Sequence, residues 1–159
     1  MIIDTLLEFA DAETVNAAAG TALIGDVIDL GATPQDFGNG RQMYLVIQTA
    51  VEIITAGAAG TLTFQLASDA AAAIATDGSA SIHLQSDIFV TDGTDANDAA
   101  LKAGGTIYQG AMPLGGSVPY ERYLGILAVT ATTTTTAGSI DAFLTFDPSF
   151  NKSYPDGTN

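Results

Sequence analysis

The chain has 159 residues, 47% of them hydrophobic and only 14% charged, so it suits one ordinary domain with a real core and is too apolar to be disordered. Eighteen acidic side chains stand against four basic ones, Arg41, Lys102, Arg122 and Lys152, for a net charge of −14. That balance excludes partners bound by neutralising phosphate, which removes nucleic acids and anionic membrane surfaces and leaves other proteins as the favoured partners.

In chain order, Asp4–Ala19 reads as a short helix or an extended arm, with Leu6–Phe9 a candidate terminal strand. Its acids Asp4, Glu8, Asp11 and Glu13 and its lack of bases are unlike a secretory leader. Leu23–Leu30 is a strand, and Asp36–Gly40 a turn. Met43–Val51 is apolar on both faces and predicts a central strand. After a turn at Ala56–Gly60, Thr61–Ser68 alternates, with Leu62, Phe64 and Leu66 on one face and Thr61, Thr63 and Gln65 on the other. Asp69–Thr76 has room for a turn or two of helix. Ile82–Val90 alternates again, with Ile82, Leu84, Ile88 and Val90 on one side. Thr106–Ala111 and Tyr123–Ala131 are further strands, the second apolar on both faces. The five threonines Thr132–Thr136 read as a hairpin end. Ile140–Asp147 places Ile140, Ala142, Leu144 and Phe146 on one face, leaving Phe143 as an outward contact. The segment 148–159 is an irregular tail, and 1–19 a possible N-terminal arm on a single domain spanning 1–159. With Gly-containing turns between the runs, the fold expected is all-β, an antiparallel β-sandwich or jelly roll of about seven to eight strands with little helix. No run approaches the ~20 apolar residues of a membrane helix.

Equipment for chemistry is sparse. Without cysteine there is no disulfide framework, zinc thiolate site or thiol nucleophile, and one histidine cannot supply the usual transition-metal set. His83 is expected as an exposed strand residue beside Gln85 and Asp87, with no nucleophile-elbow context. The loop Asp92–Asp98 concentrates oxygen ligands, yet its spacing does not match an EF-hand. Asp26 and Asp29 lie an odd number of residues apart, which sends them to opposite faces of a strand. Gly38-Asn39-Gly40 lacks the rest of a dinucleotide loop, and no P-loop is present. There is no Trp, and Tyr44, Tyr108, Tyr120 and Tyr123 fall where core packing uses them. The residues therefore give no catalytic set, no metal set and no cofactor. Arg41 and Arg122 each precede an apolar strand. They are expected either to pair with a nearby acid such as Glu121 or Asp36, or to meet a carboxylate on a partner subunit.

Several segments together resemble the tailed-bacteriophage capsid decoration, or cement, proteins of the jelly-roll type. They are Met1–Ala12, Val27–Gly31, Gly40 leading into Tyr44–Gln48, Gly60–Leu66, Glu121–Leu124 and Ala137–Leu144, in the order of that family. Asp69–Lys102 departs most from it. The resemblance implies a non-enzymatic virion structural protein with no cofactor. Such a protein is made in the host cytoplasm and carried on the outer surface of the capsid. Its partners would be the major capsid protein and further copies of itself, as a dimer or trimer. Candidate contact residues are Ile2, Ile3, Leu6, Leu7 and Phe9 near one terminus, Phe150 and Tyr154 near the other, and Arg41 and Arg122. Two other readings stand beside this one: a carbohydrate- or receptor-binding β-sandwich module, and a hydrolase built on an unrecognised carboxylate pair.

Overall fold

The computed structural model describes residues 5–15, 18–32, 41–57, 60–91, 93, 98–114 and 118–148. Among them nine strands form: β1 (Glu8–Thr14), β2 (Gly20–Asp29), β3 (Tyr44–Thr55), β4 (Gly60–Asp69), β5 (Ser81–Gln85), β6 (Phe89–Thr91), β7 (Thr106–Ala111), β8 (Tyr123–Ala131) and β9 (Thr135–Thr145). One sheet has the order β1-β9-β3-β7. The other has the order β2-β8-β4-β5, with β6 also on β4. All pairings are antiparallel. Successive strands pass from one sheet to the other except at β4, β5 and β6, and this interleaving is the strand order of a jelly roll.

The alternating pattern of the strands builds the layer between the sheets. In β4, Leu62, Phe64 and Leu66 are fully buried, and facing residues on β8 are Thr130, Ala128 and Ile126. In β3, Leu45, Ile47 and Thr49 face Leu144, Ala142 and Ile140 of β9. A large side chain opposite a small one, Phe64 beside Ala128 and Ile47 beside Ala142, helps the layers interdigitate. Each fully buried Leu, Ile or Phe contributes ~1.5–3 kcal/mol by leaving water. A smaller cluster on the outer face of the second sheet joins Ala67 and Leu127 to Ile74 and Ala80 of the β4–β5 connection. Asp69 pins that connection, its carboxylate accepting from the N–H groups of Ala71 and Ala75 at 3.0 Å each. These bonds hold its carboxyl below the usual carboxylate range.

The central positions expected for 43–51 and 123–131 are those of β3 and β8. Several other expectations are corrected. Residues 69–76 form bends without helix. The expected strand 82–90 is two strands, β5 and β6. A bulge at His83 puts Ile82 opposite Ala67 and Leu84 opposite Leu66, so the two face opposite sides. The threonine run 132–136 is no hairpin end, because β8 and β9 belong to different sheets. Phe143 is buried, lying opposite Val46 on the outer face of the first sheet. Residues 8–14, expected within an arm, are the strand β1 paired to β9. Of the tail 148–159, all but Pro148 lies outside the described residues.

Candidate interaction surface

Strand directions decide what can act together. Following the antiparallel pairings, β1 begins and β9 ends at the same end of the sandwich. The connections β2–β3, β4–β5 and β7–β8 leave and return at that end too, whereas β1–β2, β3–β4, β6–β7 and β8–β9 connect at the other. The two ends differ chemically.

At the terminus-bearing end the exposed large apolar side chains include Leu6 (77% exposed), Leu114 (68%), Phe146 (45%) and Val118 (40%). Arg41 lies over the ring of Phe146, 5.3 Å from its centroid. Arg122 forms a bidentate pair with Asp29, Nε to Oδ1 at 2.9 Å and Nη2 to Oδ2 at 2.8 Å, and also lies over Tyr123. The guanidinium, aided by the N–H of Gly31, holds the Asp29 carboxyl down at about 2. Of the two expectations for Arg122, a nearby acid such as Glu121 or Asp36 or a carboxylate of a partner subunit, the structure shows an acid of the same chain, Asp29. Asp29 is preferred because β2 and β8 are neighbours with Asp29 directly opposite Tyr123. Glu121 is engaged elsewhere, accepting from the hydroxyl of Ser81 at 2.8 Å.

His83, on β5 and separated from β8 by β4, is half-buried, which corrects the expected exposed residue. Its ring stacks on Tyr120 with centroids 4.0 Å apart, and its Nε2 is 2.7 Å from the hydroxyl of Ser68. That hydroxyl accepts the N–H of Glu121 at 3.0 Å, so Ser68 ties β5 to the start of β8. Burial pushes the His83 pKa down, while the charge of Glu121 opposes this. Tyr120 donates to the carbonyl of Pro113 at 2.7 Å, and burial pushes its hydroxyl up to about 12. The bulge hid this cluster from the alternation pattern, and only a paired register exposes it.

The expected contact residues are thus divided. Leu6, Arg41 and Arg122 gather at the terminus-bearing end. Leu7 is half-buried against the core. Phe9 is 1% exposed and belongs to the core, so it offers no contact surface in the folded domain. Ile2, Ile3, Phe150 and Tyr154 lie outside the described residues. Leu114 and Phe146 are exposed at the same end without a signal in the sequence, the first because a connection carries no periodicity and the second because its strand pattern groups it with Ile140, Ala142 and Leu144.

At the opposite end the described residues include several small hydroxylated ones, with Val90 exposed beside them. Thr55 and Thr91 share a buried hydrogen bond at 2.6 Å, and Thr135 donates to the carbonyl of Val15. Along the seam between β1 and β2, Glu8, Asp11, Glu13 and Asp26 surround a depression of about 210 Å³. Burial, then the charges of Asp11 and Asp141, raise the Glu8 pKa. Asp26 turns to this depression and Asp29 to Arg122, so they form no carboxylate pair. Among the described residues no group of three or more His, Asp or Glu side chains is arranged to hold a metal ion. The Asp92–Asp98 loop lies mostly outside the described residues; Asp98 accepts the N–H of Val90 at 2.9 Å.

Comparison with protein families completes the picture. The family model Bbp16 matches residues 9–144, from the second residue of β1 to the penultimate residue of β9. The chain belongs to the Bbp16 family. Bbp16 is a phage-related family, and the match runs through both sheets of the jelly roll. Comparison with curated proteins returns no match.

Proposed function

We propose that this Bbp16-family protein is a virion structural protein that binds the outside of the capsid shell, bridging and stabilising major capsid protein subunits. The observation that carries the reading is the gathering of both strand termini, the exposed Leu6, Leu114, Val118 and Phe146, and two arginines at one end of a rigid jelly roll. Such an end suits packing against a protein surface, with an apolar centre and, in Arg41, a guanidinium that can meet a carboxylate of the partner. The net charge of −14 supports the outer side of the shell, because packaged nucleic acid repels the protein. The role is mechanical, without a reaction or cofactor. A domain that binds the expanded shell and not its precursor stabilises the expanded state by linkage.

The test is co-sedimentation of the purified protein with expanded and unexpanded empty shells of the phage that encodes it. Saturable pelleting with expanded shells is expected, and its loss in a Leu6→Asp/Leu114→Asp double variant that still melts cooperatively. Failure to pellet with either shell would refute the proposal.

A further inference from the structure

A jelly roll is an open sandwich, so each sheet leaves two edges that must be covered, blunted or paired. Among the described residues three of the four are blunted. Strands β1 and β2 lie against each other, with Gly25 of β2 so close to β1 that a Cβ there would overlap the Phe9 carbonyl. Both are bulged, and they carry Glu8, Asp11, Glu13, Asp26 and Asp29. The β5 edge is five residues long and broken by the bulge at His83.

The β7 edge is different. Thr106–Ala111 holds no charge and no proline, and its one irregularity lies at Ile107, leaving Tyr108–Ala111 in regular pairing with β3. The N–H of Met112 donates to the carbonyl of Met43 at 2.9 Å, which fixes the phase of the ladder. Gly110 and Tyr108 therefore spend their backbone groups on Leu45 and Ile47, while Gln109 and Ala111 turn theirs outward. Gly110, between them, has no side chain to hold a neighbour away. The Tyr108 ring lies over Gly110 on the inner face, its hydroxyl filling the space that a Cβ would need.

We propose that β7 is a self-pairing edge. Two copies of this chain join antiparallel across a twofold axis at Gly110, extending the four-stranded sheet into one of eight. Gln109 of each copy pairs with Ala111 of the other. Each such pair exchanges two hydrogen bonds, four in all. A second copy is favoured over a foreign strand because the edge is complementary to itself under twofold symmetry. It is also the regular edge in a −14 chain along which two copies meet without opposing carboxylates. How copies join is independent of the shell surface they bind, so this inference and the proposed function fail separately.

The test combines sedimentation equilibrium of the full chain with amide hydrogen exchange over a concentration series, without shells present. A dimer is expected, with the amides of Gln109 and Ala111 gaining protection as the dimer fills. Gln109→Pro removes an outward N–H and leaves the β3 ladder intact, so it should keep the cooperative melt while weakening dimerisation at least ~10-fold. Gln109→Glu, which leaves the backbone unchanged, should weaken it most at low salt. A monomer at tens of micromolar, a dimer indifferent to both variants, or unprotected Gln109 and Ala111 amides in a dimer would each overturn the proposal. Protection of β7 that arises only on adding shells would overturn it too, assigning the edge to a strand of the shell protein.

Discussion

Replacing Gly25 with alanine tests whether the sandwich closes along β1 and β2 as described. Gly25 has φ of +66° at the irregularity between Ile24 and Ile28. Its missing Cβ would overlap the Phe9 carbonyl oxygen and stand 3.3 Å from the Ala10 Cα. Gly31, with φ of +87°, is the matched control, since nothing lies within 4 Å of the equivalent position. Both variants incur left-handed strain of ~1–2 kcal/mol. Only Gly25→Ala adds overlap with backbone, which cannot turn aside as a side chain would, for a further ~1–3 kcal/mol. With a Tm shift of ~2–4 °C per kcal/mol at this chain length, Gly31→Ala should melt about 2–8 °C below wild type and Gly25→Ala about 4–20 °C below. Circular dichroism melts at pH 7 measure both, and amide exchange should show Gly25→Ala loosening β1 selectively. Equal melting of the two variants, or the milder effect at Gly25, would refute the close approach of β1 to β2.

Further outcomes follow from single groups. In Thr91→Val the buried N–H of Thr55 loses its acceptor, at 3.0 Å in the native protein, so stability should fall by ~1–3 kcal/mol in denaturant titration, with Thr91→Ser recovering most of it. The folded protein depresses the His83 pKa, so the contribution of the neutral ring is complete above the unfolded value of about 6.5 and is lost as pH falls below it. Denaturant midpoints should therefore drop between pH 7.5 and 5 in wild type and drop less in His83→Gln, whose amide keeps a partner for Ser68. For Asp29, whose carboxylate is stabilised by Arg122, an NMR titration should give a midpoint at about 2, moving up toward about 3.9 in Arg122→Gln.

The alternation rule read most of this fold, for a physical reason. Leu62, Phe64 and Leu66 share a face because a strand repeats every two residues, and β4 is regular across that stretch. The same rule failed wherever a residue is inserted into a ladder. At His83 the extra residue turns Ile82 away from Leu84, and no composition signal distinguishes Ile-His-Leu in a bulge from Ile-His-Leu in a flat strand. Phe143 read as outward because it does face out of the sandwich, yet both it and Val46 beside it are buried on that face. Arginine partners were legible only as a need. Arg122 had to find a carboxylate, yet Asp29, 93 residues earlier, is reached through a β2–β8 register that no local spacing encodes.

Topology supplies what the sequence pattern could not, which is direction. A jelly roll whose first and last strands pair antiparallel must bring the start of one and the end of the other to the same end, and here β1 and β9 do so. Leu6 and Phe146, 140 residues apart, are thereby joined with Arg41 and Leu114 into one surface. The opposite end spends its hydroxyls internally, in the Thr55–Thr91 bond and the Thr135–Val15 bond. The contrast lies in the exposed apolar side chains, because polar groups of the terminus-bearing end, Arg122 and Tyr120 among them, are bonded internally as well. The residues that pair copies, Gln109–Ala111, close β7 at this same end, since Ala111 stands opposite Tyr44 and Tyr44 opposite Thr145. Antiparallel pairing about a twofold at Gly110 turns the two copies end for end, so their apolar ends point in opposite directions. A paired unit therefore meets one shell surface with one end at a time and gains no avidity from the second. Gln109→Pro should accordingly pellet with expanded shells at the affinity of a single end, and a steep loss of shell binding in that variant would refute this arrangement.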